Sequence, residues 1–326
     1  MTQTRTTPAQ QAAMSANSER NTGLLQGLAA YGMWGLLPLY FLTISIASPL
    51  EIVANRIVWS LVFCAILLTV TRQWQSMLEL GRNKQALGRL AVASVLIAVN
   101  WLTYTFAVLN GHAVEASLGY FINPLVSTAL GVVFLKEKLR PLQWAAMGFG
   151  LATVLTLTFA YGKVPYIALT LAFSFGFYGF FKNRVGRSVT ALTSLSMETA
   201  ILSIPAGAFM VWLVATNQDT VFSSGSAHLW LMLASGIITA VPLLLFGGAA
   251  RRLPLTTIGT LQFLAPILQF ILALTVFNEP MPTERLIGFC LVWVAVILLC
   301  IDMASQPRRD RAAVATAKAK DKAANM

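Results

Sequence analysis

Ten stretches of this chain are long and apolar enough to cross a lipid bilayer, and this restricts its fold more than any motif does. They cover residues 24–46, 50–70, 90–110, 114–135, 141–161, 164–181, 190–215, 228–249, 255–277 and 284–301. A helix needs about 20 predominantly apolar residues to span the hydrocarbon. Lipid offers no partner to a backbone N–H or C=O, so each spanning segment must satisfy its own backbone, as a helix does. Only 11% of the residues are charged against 57% hydrophobic, and the connections are too short to hold a soluble domain. The expected fold class is an all-α integral membrane protein with ten transmembrane helices.

The ten spans divide into two copies of five. Pro124 is followed thirteen residues later by Glu137, and Pro266 thirteen residues later by Glu279. At the same offset of 142 residues Phe121 matches Phe263, so GYFINPLVSTALGVVFLKE aligns with LQFLAPILQFILALTVFNE. A weaker echo pairs YGMWGL (Tyr31 to Leu36) with FGFYGF (Phe175 to Phe180), repeating Gly32 and Gly35 as Gly176 and Gly179. Charge then sets the orientation. Apart from Lys163, Arg285 and Arg56, every Lys and Arg lies in the two tails or in loops 71–89, 136–140, 182–189 and 250–254. Assigning that side to the cytoplasm satisfies the positive-inside rule and places both termini there. Five is odd, so the second copy runs in the opposite sense: two inverted five-helix repeats. The expected organisation is a disordered cytoplasmic tail over 1–22, a first repeat over 23–162, a second over 163–303 and a basic disordered tail over 304–326. Inverted repeats of this kind build many secondary transporters, with the binding site at the seam. Here helices 1, 3 and 4 would face helices 6, 8 and 9.

The residues themselves carry a resemblance. EASLGYFINPLV (Glu115 to Val126), NWLTYTFAVLN (Asn100 to Asn110), ALTLAFSFGFYGFFKN (Ala168 to Asn183), TAVPLLLFGGAARRLPLTTIG (Thr239 to Gly259) and the opening AAYGMWGLLPLYF closely resemble the RarD-type permeases. These belong to the EamA branch of the drug/metabolite transporter superfamily, and the resemblance covers residues 23–303. It implies a ten-helix inner-membrane transporter whose relatives often export metabolites or drugs. The subgroup is commonly labelled chloramphenicol-sensitive or chloramphenicol-resistance permease, a phenotype rather than a physiological substrate.

Polar residues at membrane depth are the candidate site. A buried Arg costs about 2.5–3.5 kcal/mol on insertion scales and so faces the protein interior or an aqueous cavity. Arg56 lies roughly 10 Å into the second span. Glu51, five residues earlier, points about 140° away on a helix; Glu115, in the fourth span, is the partner expected across the bundle. Either Arg56 and a carboxylate line the substrate path, or they form a structural interhelical ion pair. Asn100, Trp101 and Tyr104 share neighbouring faces of the third span, and Tyr120 and Asn123 precede Pro124 in the fourth. Proline leaves the carbonyl four residues earlier without its helical partner, a feature tolerated at depth where it lines a cavity or is re-paired. Gln262 and Gln269 flank Pro266 in the same way. Trp34 and its repeat counterpart Tyr178, with Ser174 one turn earlier, offer an aromatic pair from the two halves that could stack on a solute, or simply pack. The glycine pairs allow close helix approach. Glu137 and Glu279 stand where they would cap the fifth and tenth helices at their N-termini.

Other functional classes fit less well. There is no phosphate-binding loop of the GxxxxGK type, and no segment is long enough for a nucleotide domain. The two histidines, His112 and His228, lie near span ends, so no buried His relay is available, and no HExxH or GxSxG motif supports an intramembrane enzyme. A channel or passive scaffold leaves the inverted repeat unexplained. Cys64, Cys290 and Cys300 have no metal or disulfide spacing and read as small buried hydrophobes. The net charge of +11 is explained by loop position rather than by nucleic acid. No cofactor and no metal are expected. The partners expected are a small-molecule substrate and membrane lipids, with the protein a monomer or a homodimer. Transport coupled to protons needs a titrating carboxylate, for which Glu115, Glu51 and Glu198 are the candidates within the spans. The expected solute is a small amphipathic or zwitterionic metabolite or drug, exported by alternating access. The alternative is an uncoupled facilitator of amino acids or related metabolites.

Overall fold

The computed structural model describes residues 8–324 apart from 137–138, 160–161, 163, 186–188 and 254. The described residues form helices and connections with no strand. In chain order the helices are α1 (Pro8–Thr43), α2 (Pro49–Val70), α3 (Trp74–Arg82), α4 (Lys84–Leu109), α5 (Ala113–Leu135), α6 (Pro141–Phe159), α7 (Tyr166–Asn183), α8 (Ala191–Ala215), α9 (Ser226–Arg252), α10 (Leu255–Leu261), α11 (Leu264–Thr275) and α12 (Thr283–Ala324). Among the described residues eight helical segments are long and apolar enough to cross a bilayer, the segment Thr257–Thr275 through α10 and α11 among them. The shorter apolar helix α7 and the apolar part of α1 bring the number to ten. Local chemistry sets several starts. Ser48 caps α2 by accepting from the Glu51 amide, with Pro49 in the first turn. Asn83 and Thr190 cap α4 and α8 in the same manner.

The packing carries the duplication. Helix α5 packs on α7 as α1 packs on α11, α4 on α7 as α1 on α9, and α2 on α9 as α4 on α8. The pairs α2 with α8, α5 with α11 and α6 with α12 join each helix to its own repeat counterpart. This is the pattern of an internal two-fold between two five-helix units. Outward faces carry large apolar side chains such as Phe159, Ile204 and Val211, the surface that lipid covers. Trp74, Trp144, Trp212 and Trp230, near span ends, are all exposed. Cys64 is buried as expected, whereas Cys290 is exposed on the outer face of α12.

Helices run into both polar flanks: α1 begins at Pro8 and α12 continues to Ala324. Ala is frequent in both flanks, joined by Gln in the first and by Arg and Lys in the second, all strong helix formers that extend a helix already nucleated in the membrane. Loop 71–89 contains the separate helix α3, which buries Leu80 while exposing Trp74 and Leu78, as an interfacial amphipathic helix does. The ninth span breaks at Gln262 and Phe263, four and three residues before Pro266, whose missing N–H leaves the Gln262 carbonyl without a helical donor. Its counterpart α5 stays continuous through Pro124.

The glycine pairs do half of what their spacing promised. A Cβ on Gly35 would meet Leu268, and one on Gly176 would meet Val126, two repeat-equivalent partners; Gly32 and Gly179 face open space. The closest approaches to backbone lie elsewhere. A Cβ on Gly236 would stand 2.3 Å from the Trp59 carbonyl carbon, and one on Gly119 would stand 2.7 Å from the Ala168 oxygen. In both cases backbone meets backbone, so neither neighbour can rotate away. Gly236→Ala is therefore expected to lower the apparent melting temperature in detergent by roughly 5 °C. Gly148→Ala, with nothing within 4 Å of the added carbon, should leave it unchanged or slightly raised.

Candidate functional site

Helix α2 carries Arg56 as its eighth residue, on a face that meets α9. Arg56 Nε donates to the Thr239 hydroxyl at 3.0 Å, and one turn later the Ser60 hydroxyl donates to the Gly236 carbonyl at 3.2 Å. Gly236 is what lets the two backbones come close enough for both bonds. Thr239 is itself fixed, donating to the Ser235 carbonyl at 2.8 Å. The guanidinium lies between two rings, 5.2 Å from the centre of Phe41 and 5.1 Å from that of Trp101, and Arg56 keeps 4% of its surface exposed. Cation–π contacts of this kind offset part of the desolvation. The expected acidic partner is absent: among the described residues no carboxylate forms an ion pair with Arg56, and its titratable neighbours are the uncharged hydroxyls of Tyr40, Tyr104 and Tyr120.

Beside the guanidinium a polar bridge crosses the seam. Asn100 of α4 donates to the Ser174 hydroxyl and to the Leu171 carbonyl of α7, each at 3.1 Å. Its own oxygen accepts from the Tyr120 hydroxyl of α5 at 3.0 Å. Rings continue the contact: Phe41 against Tyr104, Tyr104 against Tyr120, Tyr120 against Phe175. Arg56, Asn100, Tyr120 and Ser174 lie about 10–14 Å from the same end of their helices, at about 1.5 Å per residue. Trp101, Tyr120 and Phe175 are only half-buried although each packs on neighbours inside the bundle. Of the sequence candidates, Arg56, Asn100, Trp101, Tyr104, Tyr120 and Ser174 thus form one cluster. Asn123 is buried one turn beyond Tyr120, its Oδ1 without a partner. Sequence reasoning missed Tyr40, Phe41, Thr239 and Phe175. The one signal for Thr239 was a Ser–Thr pair, Ser235 and Thr239, at i,i+4 in an otherwise apolar span.

The remaining candidates stand apart from this cluster. Trp34 packs against Tyr31 and Phe246, and no ring contact joins it to Tyr178 among the described residues. Pro38, four residues on, leaves the Trp34 carbonyl without a helical donor, and Gln269 Nε2 supplies one at 3.0 Å. Gln269 is therefore a re-pairing residue in this structure, and Gln262 sits half-buried at the break between α10 and α11. Tyr178 donates to Glu198 at 3.1 Å, and Lys182 reaches both, at 2.5 Å from the phenol oxygen and 2.9 Å from the carboxylate. Ser194 completes that cluster with a 2.8 Å bond to Glu198.

The acidic residues at one end of the bundle hold backbone instead of Arg56. Glu115 of α5 accepts from the Ile167 amide of α7 at 3.1 Å. Glu51 of α2 accepts from the Thr220 amide, in the α8–α9 connection, at 2.7 Å. Glu279, beyond α11, accepts from the first two amides of α5, Ala113 at 2.5 Å and Val114 at 2.8 Å. It caps a helix N-terminus as expected, but that of α5 rather than the tenth span, because the turn after α11 carries it across the seam. Glu137 lies outside the described residues. All three carboxylates bind the opposite repeat, so one end of the seam is tied by charge on helix N-termini and loop amides.

Comparison with known proteins follows the same division. The fold and seam cluster define a polytopic membrane protein of two inverted five-helix repeats. The EamA-like transporter family matches it twice, over residues 21–159 and 163–301, and the chain belongs to that family. It is a membrane transporter of the RarD type. Among its relatives, Protein RarD of Streptomyces exfoliatus is 48% identical, covering 92% of this chain and 94% of the relative. Protein RarD of Escherichia coli K12 is 40% identical, over 91% and 99%. A protein of known crystal structure, 19% identical, shares the fold with a TM-score of 0.57, over 86% of this chain and 98% of the other.

Losing the Glu279 carboxylate should free the start of α5. Glu279→Ala is expected to speed hydrogen exchange at the Ala113 and Val114 amides at least tenfold, read by mass spectrometry on peptides covering 109–120. Exchange at the α9 amides should not change.

Proposed function

We propose that this protein is a secondary transporter of the bacterial cytoplasmic membrane, with both termini cytoplasmic, exporting a small amphipathic solute by alternating access between its repeats. The observation that carries this reading is the cluster of Arg56, Asn100, Tyr104, Tyr120 and Ser174. It draws α2, α4 and α5 from one repeat and α7 from the other, at one depth, and joins a charge, amide and hydroxyl groups to half-buried rings. Such convergence of a few polar groups on an aromatic wall is what a small-molecule site requires. Rocking one repeat against the other would expose it first to one side and then to the other. The basic residues gathered at one end support the cytoplasmic assignment of both termini.

Energy coupling turns on the acidic residues. Glu51 and Glu115 accept backbone amides and Glu198 pairs with Lys182, so each of the three is engaged in this conformation. Proton coupling therefore requires these contacts to open during the cycle. The alternative, a facilitator without coupling, requires nothing of them.

The reading is tested by reconstitution. Purified protein is screened by thermal shift against small amphipathic metabolites, and each stabilising solute is followed into proteoliposomes. At least one should be taken up, and Tyr120→Phe, which deletes only the hydroxyl held by Asn100, should slow uptake several-fold with unchanged elution from size exclusion. Uptake that ignores Tyr120→Phe and Asn100→Ala alike would move the site elsewhere. An imposed pH gradient should accelerate uptake if protons drive it; equal rates with and without the gradient leave the facilitator.

A further inference from the structure

The unneutralised charge in this site specifies the chemistry of what it binds. Arg56 uses Nε on Thr239, while its Nη1 is buried with no hydrogen-bond partner. A guanidinium is a rigid fork of donors whose geometry matches a carboxylate. Close by, the Tyr104 hydroxyl is buried and without a partner, and its ring packs on Phe41, the same ring that lies under the guanidinium. An anionic oxygen pair placed here would take donors from both.

Charge bookkeeping narrows the anion. Among the described residues the other ionic groups near membrane depth are engaged: Lys182 with Glu198, Arg140 with Asp302 at 3.0 Å, and Glu51, Glu115 and Glu279 with backbone amides. Among the described residues the cluster therefore holds a single positive charge with no internal counter-ion. A monoanion cancels it. A phosphate monoester or a dicarboxylate would leave a buried negative charge, and the ammonium of an amino acid would find no free carboxylate. The remaining wall, made by Phe41, Tyr104, Tyr120 and Phe175, is aromatic. On the seam site proposed above, we infer that the solute is a monocarboxylate whose body is uncharged and largely aromatic or apolar, with its carboxylate on Arg56 and Tyr104.

The test is calorimetric titration of the full-length protein in detergent with 3-phenylpropionate, octanoate, 3-phenylpropanamide and phenylalanine. The two carboxylates should bind, the amide at least tenfold more weakly than 3-phenylpropionate, and phenylalanine likewise. Arg56→Gln should abolish the preference for acid over amide, and Arg56→Lys should keep part of it. A variant-free measurement runs beside these: 3-phenylpropionate should slow modification of Arg56 by phenylglyoxal, mapped by mass spectrometry, and the amide should not. Amide and acid binding equally, phenylalanine matching the acid, absence of binding by either carboxylate, or no protection of Arg56 would each overturn the inference. The seam site itself fails separately, when solute uptake ignores Tyr120→Phe and Asn100→Ala alike.

Discussion

The charge on Arg56 decides which helices meet at the centre of this protein. A guanidinium left in hydrocarbon would cost several kcal/mol, so the face of α2 that carries it has to be enclosed. That face turns to α9, where Thr239 accepts one N–H and Gly236 permits the close approach. Two rings, Phe41 from α1 and Trp101 from α4, then close over the cation. Once α1, α4 and α9 are gathered around α2, Asn100 comes to face α7 and Tyr120. The bridge across the seam follows from the placement of one charged side chain.

The scaffold is symmetric and the site is not. Helix pairings repeat across the two-fold, and Gly35 and Gly176 even press on repeat-equivalent residues, Leu268 and Val126. The chemistry differs. Tyr120 and Asn123 of the first copy become Gln262 and Ala265 in the second, and the helix that runs unbroken past Pro124 is interrupted before Pro266. Duplication supplies two units that can move against each other, while divergence at these positions supplies a single polar cluster. Cross-seam carboxylate contacts from Glu51, Glu115 and Glu279 hold one end together in this conformation. Movement of the repeats has to exchange those bonds for others.

Much of this was legible in the sequence, because lipid imposes few solutions on an apolar run. Span number, the inverted duplication and six members of the cluster were all readable from apolar length, loop charge and polar residues at depth. What could not be read were contacts fixed by three-dimensional placement. Arg56 demanded an acid by general rules, yet Glu115 is turned to Ile167, and two aromatic faces with a threonine take its place. Gln269 looked like a ligand group beside Pro266, but its partner is a carbonyl orphaned by Pro38 in another helix. Symmetry paired Trp34 with Tyr178, which instead joins Lys182 and Glu198. The amphipathic helix α3 was hidden because its apolar residues are too few to register against the spans around it.

Central to the account is that the aromatic wall beside Arg56 opens to water from both sides of the membrane in turn. This can be measured with Phe175→Cys in a background where Cys64, Cys290 and Cys300 are replaced by Ser or Ala. A membrane-impermeant maleimide is applied to right-side-out and to inside-out vesicles. Labelling of position 175 from both faces is the predicted result, with Phe289→Cys, deep in the packed core, unreactive from either. Position 175 unreactive from both faces, in a variant that still folds, would contradict alternating exposure of this cluster.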